Sequence, residues 1–156
     1  MNQINIGNTL PDPPKPLALY ESVGDAGGLL YTCGTTARDP AYKGSLGMEM
    51  DLAKGKEAAA KAALNLLSIL NHHLGDLSLI EKVIKLNVYI AAEKSWLGHS
   101  ELANGASETL HKYLGERGTH ARTTIGVSCL PGGTCVEIEA VVKVFQKEDT
   151  KKGVKL

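Results

Sequence analysis

The chain has 156 residues, and its 17 lysines and arginines balance 17 aspartates and glutamates to a formal net charge of zero. That length suits one domain with a sizeable core rather than two, and the charge balance leaves no electrostatic footprint for nucleic acid or an anionic membrane. No apolar run approaches the ~20 residues of a membrane span, and Met1-Asn2-Gln3-Ile4-Asn5 lacks the basic and apolar regions of a signal peptide. The expected location is therefore cytoplasmic.

Residues 1–16, with Pro11, Pro13, Pro14 and Pro16, read as an N-terminal extended arm. The domain proper is expected over 17–146. Leu17 to Val23 is a short strand candidate carrying Tyr20, Gly24 to Gly28 is its turn, and Leu29 to Cys33 is a more apolar strand. The segment from Gly34 to Gly47 is read as a loop with a third short strand near Tyr42 to Leu46. Asp51 is placed to cap a helix whose buried stripe is Ala59, Ala63, Leu66, Leu70 and Leu74 and which Gly75 ends. Gly55 inside that helix costs about 1 kcal/mol relative to alanine unless close packing requires it. His72 and His73 near the helix end suit the macrodipole, and adjacent helical residues diverge too far to share a metal.

Lys82 to Ala91 alternates, with Ile84, Leu86, Val88 and Ile90 on one face and Lys85, Asn87 and Tyr89 on the other, as expected of a central strand. A second helix follows from about Ser95 or Ser100 to Leu114, with Leu102, Ala106, Leu110 and Leu114 as its stripe. Residues 147–156 are lysine-rich with little apolar content and are expected to be a disordered tail.

Between helix and tail lies His120 to Val144, which reads as two strands folded back through Leu130-Pro131-Gly132-Gly133. On the first arm Ile125, Val127 and Cys129 share a face opposite Arg122, Thr124, Gly126 and Ser128. On the second, Val136, Ile138, Ala140, Val142 and Val144 lie opposite Glu137 and Glu139. Matching the apolar faces pairs Val127 with Val136 and sets Gly126 opposite Glu137. Arg122 then lies about 13 Å from Glu137 along one polar face, at ~3.3 Å per residue. Glycine leaves space above the sheet there. Such a face suits either a ligand site or a solvated outer surface. Cys33, Cys129 and Cys135 show no metal-type spacing and are read as small buried hydrophobes.

The element order β-β-(β)-α-β-α-β-β implies an α+β fold, a single mixed sheet with two helices packed on one face. The other face, expected to bear Arg122 and Glu137, must meet solvent or another subunit.

Ala121-Arg122-Thr123-Thr124-Ile125-Gly126-Val127, Leu130-Pro131 and Val136-Glu137-Ile138-Glu139-Ala140 together resemble the signature segment of the YjgF/Rid family of reactive-intermediate deaminases, also called L-PSP endoribonuclease-like proteins. The likeness extends through Leu10-Pro11, Tyr20, Gly28 to Gly34 and the alanine-rich helix, about residues 10 to 146, and is nearest a longer branch of the family. It implies the chorismate-mutase-like YjgF fold, a homotrimer and ligand sites in clefts between subunits. It further implies cofactor-free hydrolysis of 2-imino or 2-enamino acids to 2-keto acids and ammonia.

In this reading Arg122 offers a planar fork to a substrate carboxylate, and Glu137 holds or activates the attacking water. Tyr20 matches the family's site tyrosine. Thr124 stands where archetypal members carry cysteine, and with Gly126 it lines the substrate site. Asn104 is the nearest counterpart of a family helix asparagine, whose role is not carried over. No metal or organic cofactor is implied; the expected ligand is a 2-imino acid or another small carboxylate, without membrane or nucleic-acid partners. The competing reading is a non-catalytic trimer that binds small carboxylates or acts as a protein-interaction or chaperone-like module, and the departure at Thr124 favours it. Ribonuclease activity ranks below both, because no basic groove accompanies His111 and His120.

Overall fold

An alanine-rich helix, α1 (Leu52–Leu74), lies across one sheet in the computed structural model, which describes residues 10–146. The Asp51 side chain accepts the Lys54 N–H at 2.8 Å and caps it, and Gly75, at φ 82°, closes it in the left-handed conformation. Ala58, Ala59, Ala62, Ala63, Leu66, Leu67 and Leu70 are fully buried, because alanine's short side chain lets the helix settle close to what it covers. The second helix, α2 (His99–Leu114), buries Leu102, Ala103, Ala106 and Leu110 beside it. Two glycines allow the crossing. A methyl group on Gly55 would strike the Leu102 side chain, and one on Gly105 would strike the Lys56 carbonyl oxygen. The unfavourable helix propensity of Gly55 is therefore tied to close packing.

The helices cover one face of a five-stranded sheet: β1 (Val23–Asp25), β2 (Leu29–Thr32), β3 (Ile80–Ala91), β4 (Ala121–Val127) and β5 (Val136–Val144), in the order β1-β2-β5-β3-β4. The β3–β4 pair is parallel and the others are antiparallel, so the sheet is mixed. Leu30, Leu86, Val88, Ile90, Val136, Ile138 and Val142 face the helices and form the core with them.

Several expectations change. The segment 120–144 is not a hairpin: β3 lies between β4 and β5, so Ile90 pairs with Gly126 on one side and Val136 on the other. The proposed pairings of Val127 with Val136 and of Gly126 with Glu137 do not occur. Alternation fixes which residues share a face of each strand, but it does not tell which strand lies alongside. Ile84 is also turned. Pairing passes from Val83↔Val142 to Lys85↔Val141, leaving Ile84 as the extra residue of a bulge and exposed on the open face.

The first strand is shorter and later than expected, since 17–22 is irregular and Gly24 belongs to β1 rather than to the turn. Residues 42–46 form no named strand. A 3₁₀ turn at Pro40–Tyr42 and isolated bridges, Lys43↔Thr134 and Leu46↔Ala92, hold that stretch instead. Of the cysteines, Cys135 is buried, Cys33 is half-buried and Cys129 is exposed, contrary to its expected burial. The arm over 10–16 is neither helix nor strand, and its Pro11 carbonyl accepts the Ser68 hydroxyl of α1. Residues 1–9 and the tail 147–156 lie outside the described residues.

Candidate active site

Register decides where the chemistry-bearing side chains point. Paired residues share a face, so Arg122, Thr124 and Gly126 lie with their partners Leu86, Val88 and Ile90 on the helix side. Glu137 and Glu139, paired with Tyr89 and Asn87, lie on the open side. The expected common polar face for Arg122 and Glu137 is therefore absent, and with it the single-chain gap between them. β4 is an edge strand whose helix side meets the polar first half of α2, and this inverts the reading of its alternation.

Arg122 is held by that helix. Its Nη1 donates to Asn104 Oδ1 at 3.0 Å and to Ser107 Oγ at 2.9 Å, and its Nη2 donates to the Ser100 carbonyl at 3.0 Å. All three partners are neutral, and Arg122 forms no ion pair among the described residues. A guanidinium carries five N–H groups, so the Nε–H and one Nη2–H remain for a ligand. The cleft around it, about 650 Å³, is lined by Ser100, Ser107, His111, His120, Arg122 and Thr124 among others. The Thr124 hydroxyl oxygen is buried and has no hydrogen-bond partner among the described residues, a condition that destabilises a fold unless a ligand or water supplies the partner. Gly126 leaves no open space: a methyl group there would lie 2.6 Å from His99 Nε2, so the imidazole occupies the room the glycine provides.

Tyr20 and Glu137 meet elsewhere. They line a second cavity of about 340 Å³ with Gly34, Arg38, Lys43 and Pro131. The Glu137 carboxylate lies over Gly34, where any Cβ would collide with it. Burial, the first cause, and the neighbouring charge of Glu139 push its pKa above the usual carboxylate range, while Arg38 pulls it back. Glu139 is tied into the sheet, accepting from Tyr89 Oη at 2.6 Å and Asn87 Nδ2 at 3.1 Å. The Glu139 hydrogen bond, with burial, pushes the Tyr89 phenol up to about 12. Tyr20 is partly exposed, and its hydroxyl oxygen accepts the Leu17 N–H at 3.3 Å.

The five predicted site residues thus divide into an arginine cleft (Arg122, Thr124, with Gly126 beneath His99) and a glutamate cavity (Tyr20, Glu137). Sequence reasoning misses Ser100, Ser107 and His120 around the arginine and Arg38 beside the glutamate; Asn104, to which it gives no role, accepts from Arg122. Helical spacing of Ser100, Asn104 and Ser107 at i, i+4 and i+7 puts them on one face, and that signal was available. The exposed Arg38, at φ 54°, carries no such pattern. Among the described residues no cluster of metal-ligating side chains occurs.

A sheet of this topology under two helices, with an arginine cleft at its edge, defines an α+β protein of the YjgF type. The family model for endoribonuclease L-PSP matches residues 11–144. The chain is 34% identical over 147 residues to Protein TCP17 of Trypanosoma cruzi, covering 92% of each. A crystal structure of an Agrobacterium tumefaciens protein of unknown function superposes with a TM-score of 0.83 at 36% identity, over 90% of this chain and 88% of that one. RidA from an Antarctic Psychrobacter superposes with a TM-score of 0.59 at 25% identity, over 85% and 94%. The chain belongs to the endoribonuclease L-PSP family, the YjgF/Rid proteins.

Proposed function

We propose that this protein hydrolyses reactive 2-imino or 2-enamino acids to 2-keto acids and ammonia, without a cofactor, at sites shared between subunits of a homotrimer. The observation that carries the reading is Arg122: oriented by three neutral acceptors, in no ion pair among the described residues, and next to the Thr124 hydroxyl, which has no partner among them. A fixed, uncompensated fork of this kind suits a planar carboxylate. Glu137, its pKa raised by burial, is suited to take a proton from water. Because the two groups point to opposite sides of the sheet, the Glu137 of one subunit serves the Arg122 of its neighbour.

The substrate carboxylate binds the Arg122 fork, and the Thr124 hydroxyl bonds the same end of the molecule. Water held by Glu137 attacks the imine carbon; a C–O bond forms, the C=N π pair moves to nitrogen, and the carboxylate takes the water's proton. Glu137 returns that proton to the nitrogen, then takes the hydroxyl proton of the resulting carbinolamine and passes it to the same nitrogen. The oxygen lone pair forms the keto C=O as the C–N bond breaks and ammonia leaves, with Glu137 again a carboxylate. Subunit contact excludes bulk water from the cleft and strengthens both charged interactions.

The test is competition with semicarbazide for enzymatically generated 2-aminoacrylate. The protein is expected to lower semicarbazone formation in proportion to its concentration. Unchanged semicarbazone with demonstrable carboxylate binding favours the non-catalytic binder, for which threonine in place of the family cysteine speaks. Ribonuclease action is less suited: Arg122 is the sole lysine or arginine lining the cleft, and Glu108 lines it too, a poor track for a phosphate backbone.

A further inference from the structure

His120 stands immediately before β4, half-buried behind Arg122, and takes no part in the chemistry above. Both of its ring nitrogens are engaged. Nδ1 lies 2.6 Å from the Gly118 carbonyl oxygen, and Nε2 lies 3.0 Å from Ser107 Oγ. A carbonyl oxygen only accepts, so Nδ1 carries the proton, and in the neutral ring Nε2 is an acceptor. Burial first, and then the Arg122 charge, hold the ring's pKa below its ordinary value against the opposing pull of the Gly118 bond, which favours that neutral form.

The direction of the next bond follows. Ser107 donates its hydroxyl proton to Nε2, which leaves its lone pairs for Arg122 Nη1 at 2.9 Å. Were the hydroxyl turned the other way, its proton would face an N–H donor and Nε2 would lose its partner. The chain therefore runs in one sense, each group donating to the next: Arg122 to Ser107, Ser107 to His120, His120 to Gly118. Gly118 is itself fixed by packing, since a methyl group there would strike the Leu110 carbonyl oxygen.

We infer that His120 is a positioning residue for carboxylate recognition: acting through Ser107, it sets the plane of the Arg122 guanidinium so that its unpartnered N–H groups face the cleft. The inference rests on Arg122 as the carboxylate ligand. Its function is directional rather than electrostatic, because the ring acts as an acceptor at one nitrogen and an anchor at the other. A glutamine at this position places its amide oxygen near Nε2 and keeps the acceptor for Ser107. An asparagine places its amide near Nδ1 and keeps only the bond to Gly118.

The experiment measures the affinity of pyruvate, the keto acid expected from 2-aminoacrylate, by calorimetric titration of the full chain, with melting temperature recorded for each variant. His120→Asn and Ser107→Ala are each expected to weaken pyruvate binding about tenfold, the loss of one supporting hydrogen bond. His120→Gln is expected to stay within about twofold of wild type, and Ser107→Ala/His120→Asn to match Ser107→Ala alone. Equal losses for Asn and Gln, or additive losses in the double variant, overturn the relay. Should His120→Asn fail to fold, Ser107→Ala and Ser107→Ala/His120→Gln carry the same comparison: equal affinities uphold the relay and a further loss overturns it. Arg122→Lys separates the two levels. If it binds pyruvate as wild type does, or if wild type binds none, the carboxylate site itself falls; if it loses binding while every His120 variant keeps it, only the relay falls.

Discussion

Arg122 has a large share of its donors committed before any substrate arrives, and that preorganisation is what a lysine cannot reproduce. An ammonium keeps the charge but has no planar fork, and it reaches at most a subset of Asn104, Ser107 and Ser100. Arg122→Lys is expected to lower kcat/KM for imine hydrolysis by about 10² to 10³-fold while the fold survives, as judged by circular dichroism. Glu137 gives the opposite combination. Its pKa is raised in the fold, so the folded chain holds the proton more tightly than the unfolded one. The resulting destabilisation is absent below the unfolded glutamate's range and develops as pH rises through the raised folded value. Glu137→Gln should therefore reduce turnover by about 100-fold or more yet raise the melting temperature at neutral pH. Melting curves recorded at descending pH should show that advantage fade. A constant advantage would place the effect in packing rather than in charge.

The strands and helices were legible where burial imposes a period. The Asp51 cap, the Gly75 stop and the stripes of both helices stand where the sequence puts them. The neighbour relations were not. β4 and β5 each alternate cleanly, and nothing in alternation reveals that β3 lies between them. The same gap moves the site: a register that joins Arg122 to Glu137 requires β4 to pair directly with β5, whereas β4 pairs with β3 and the polar stripe of α2 draws Arg122 inward. Bulges at Glu81 and Ile84 were equally hidden, because an extra residue breaks the period only after the pairing is known. The helix crossing gives a test at this scale. Gly105→Ala meets the Lys56 backbone and should lose about 1–3 kcal/mol in urea unfolding. Gly55→Ala meets only side-chain ends of Leu102 and Leu46, which can yield, and its gain in helix propensity offsets part of the strain. Equal effects would contradict a backbone-limited crossing.

At the scale of the molecule, the sheet face away from the helices is what remains unaccounted for in a single chain. Tyr31, Ile84 and Ile125 are 50%, 40% and 45% exposed on or beside it, an apolar content that the proposed trimer would remove from water. Light scattering is expected to report three times the 16.6 kDa of the monomer at micromolar concentration; a monomer would sink the shared site. Division of the site is the central claim, and subunit complementation tests it most directly. Arg122→Lys and Glu137→Gln chains, each inactive alone, are co-expressed and purified as mixed oligomers. If each site takes its arginine from one subunit and its glutamate from the next, random mixing in equal amounts restores about one quarter of wild-type turnover. If both residues serve a site within one chain, every chain carries a lesion, and the mixture stays as inactive as its components.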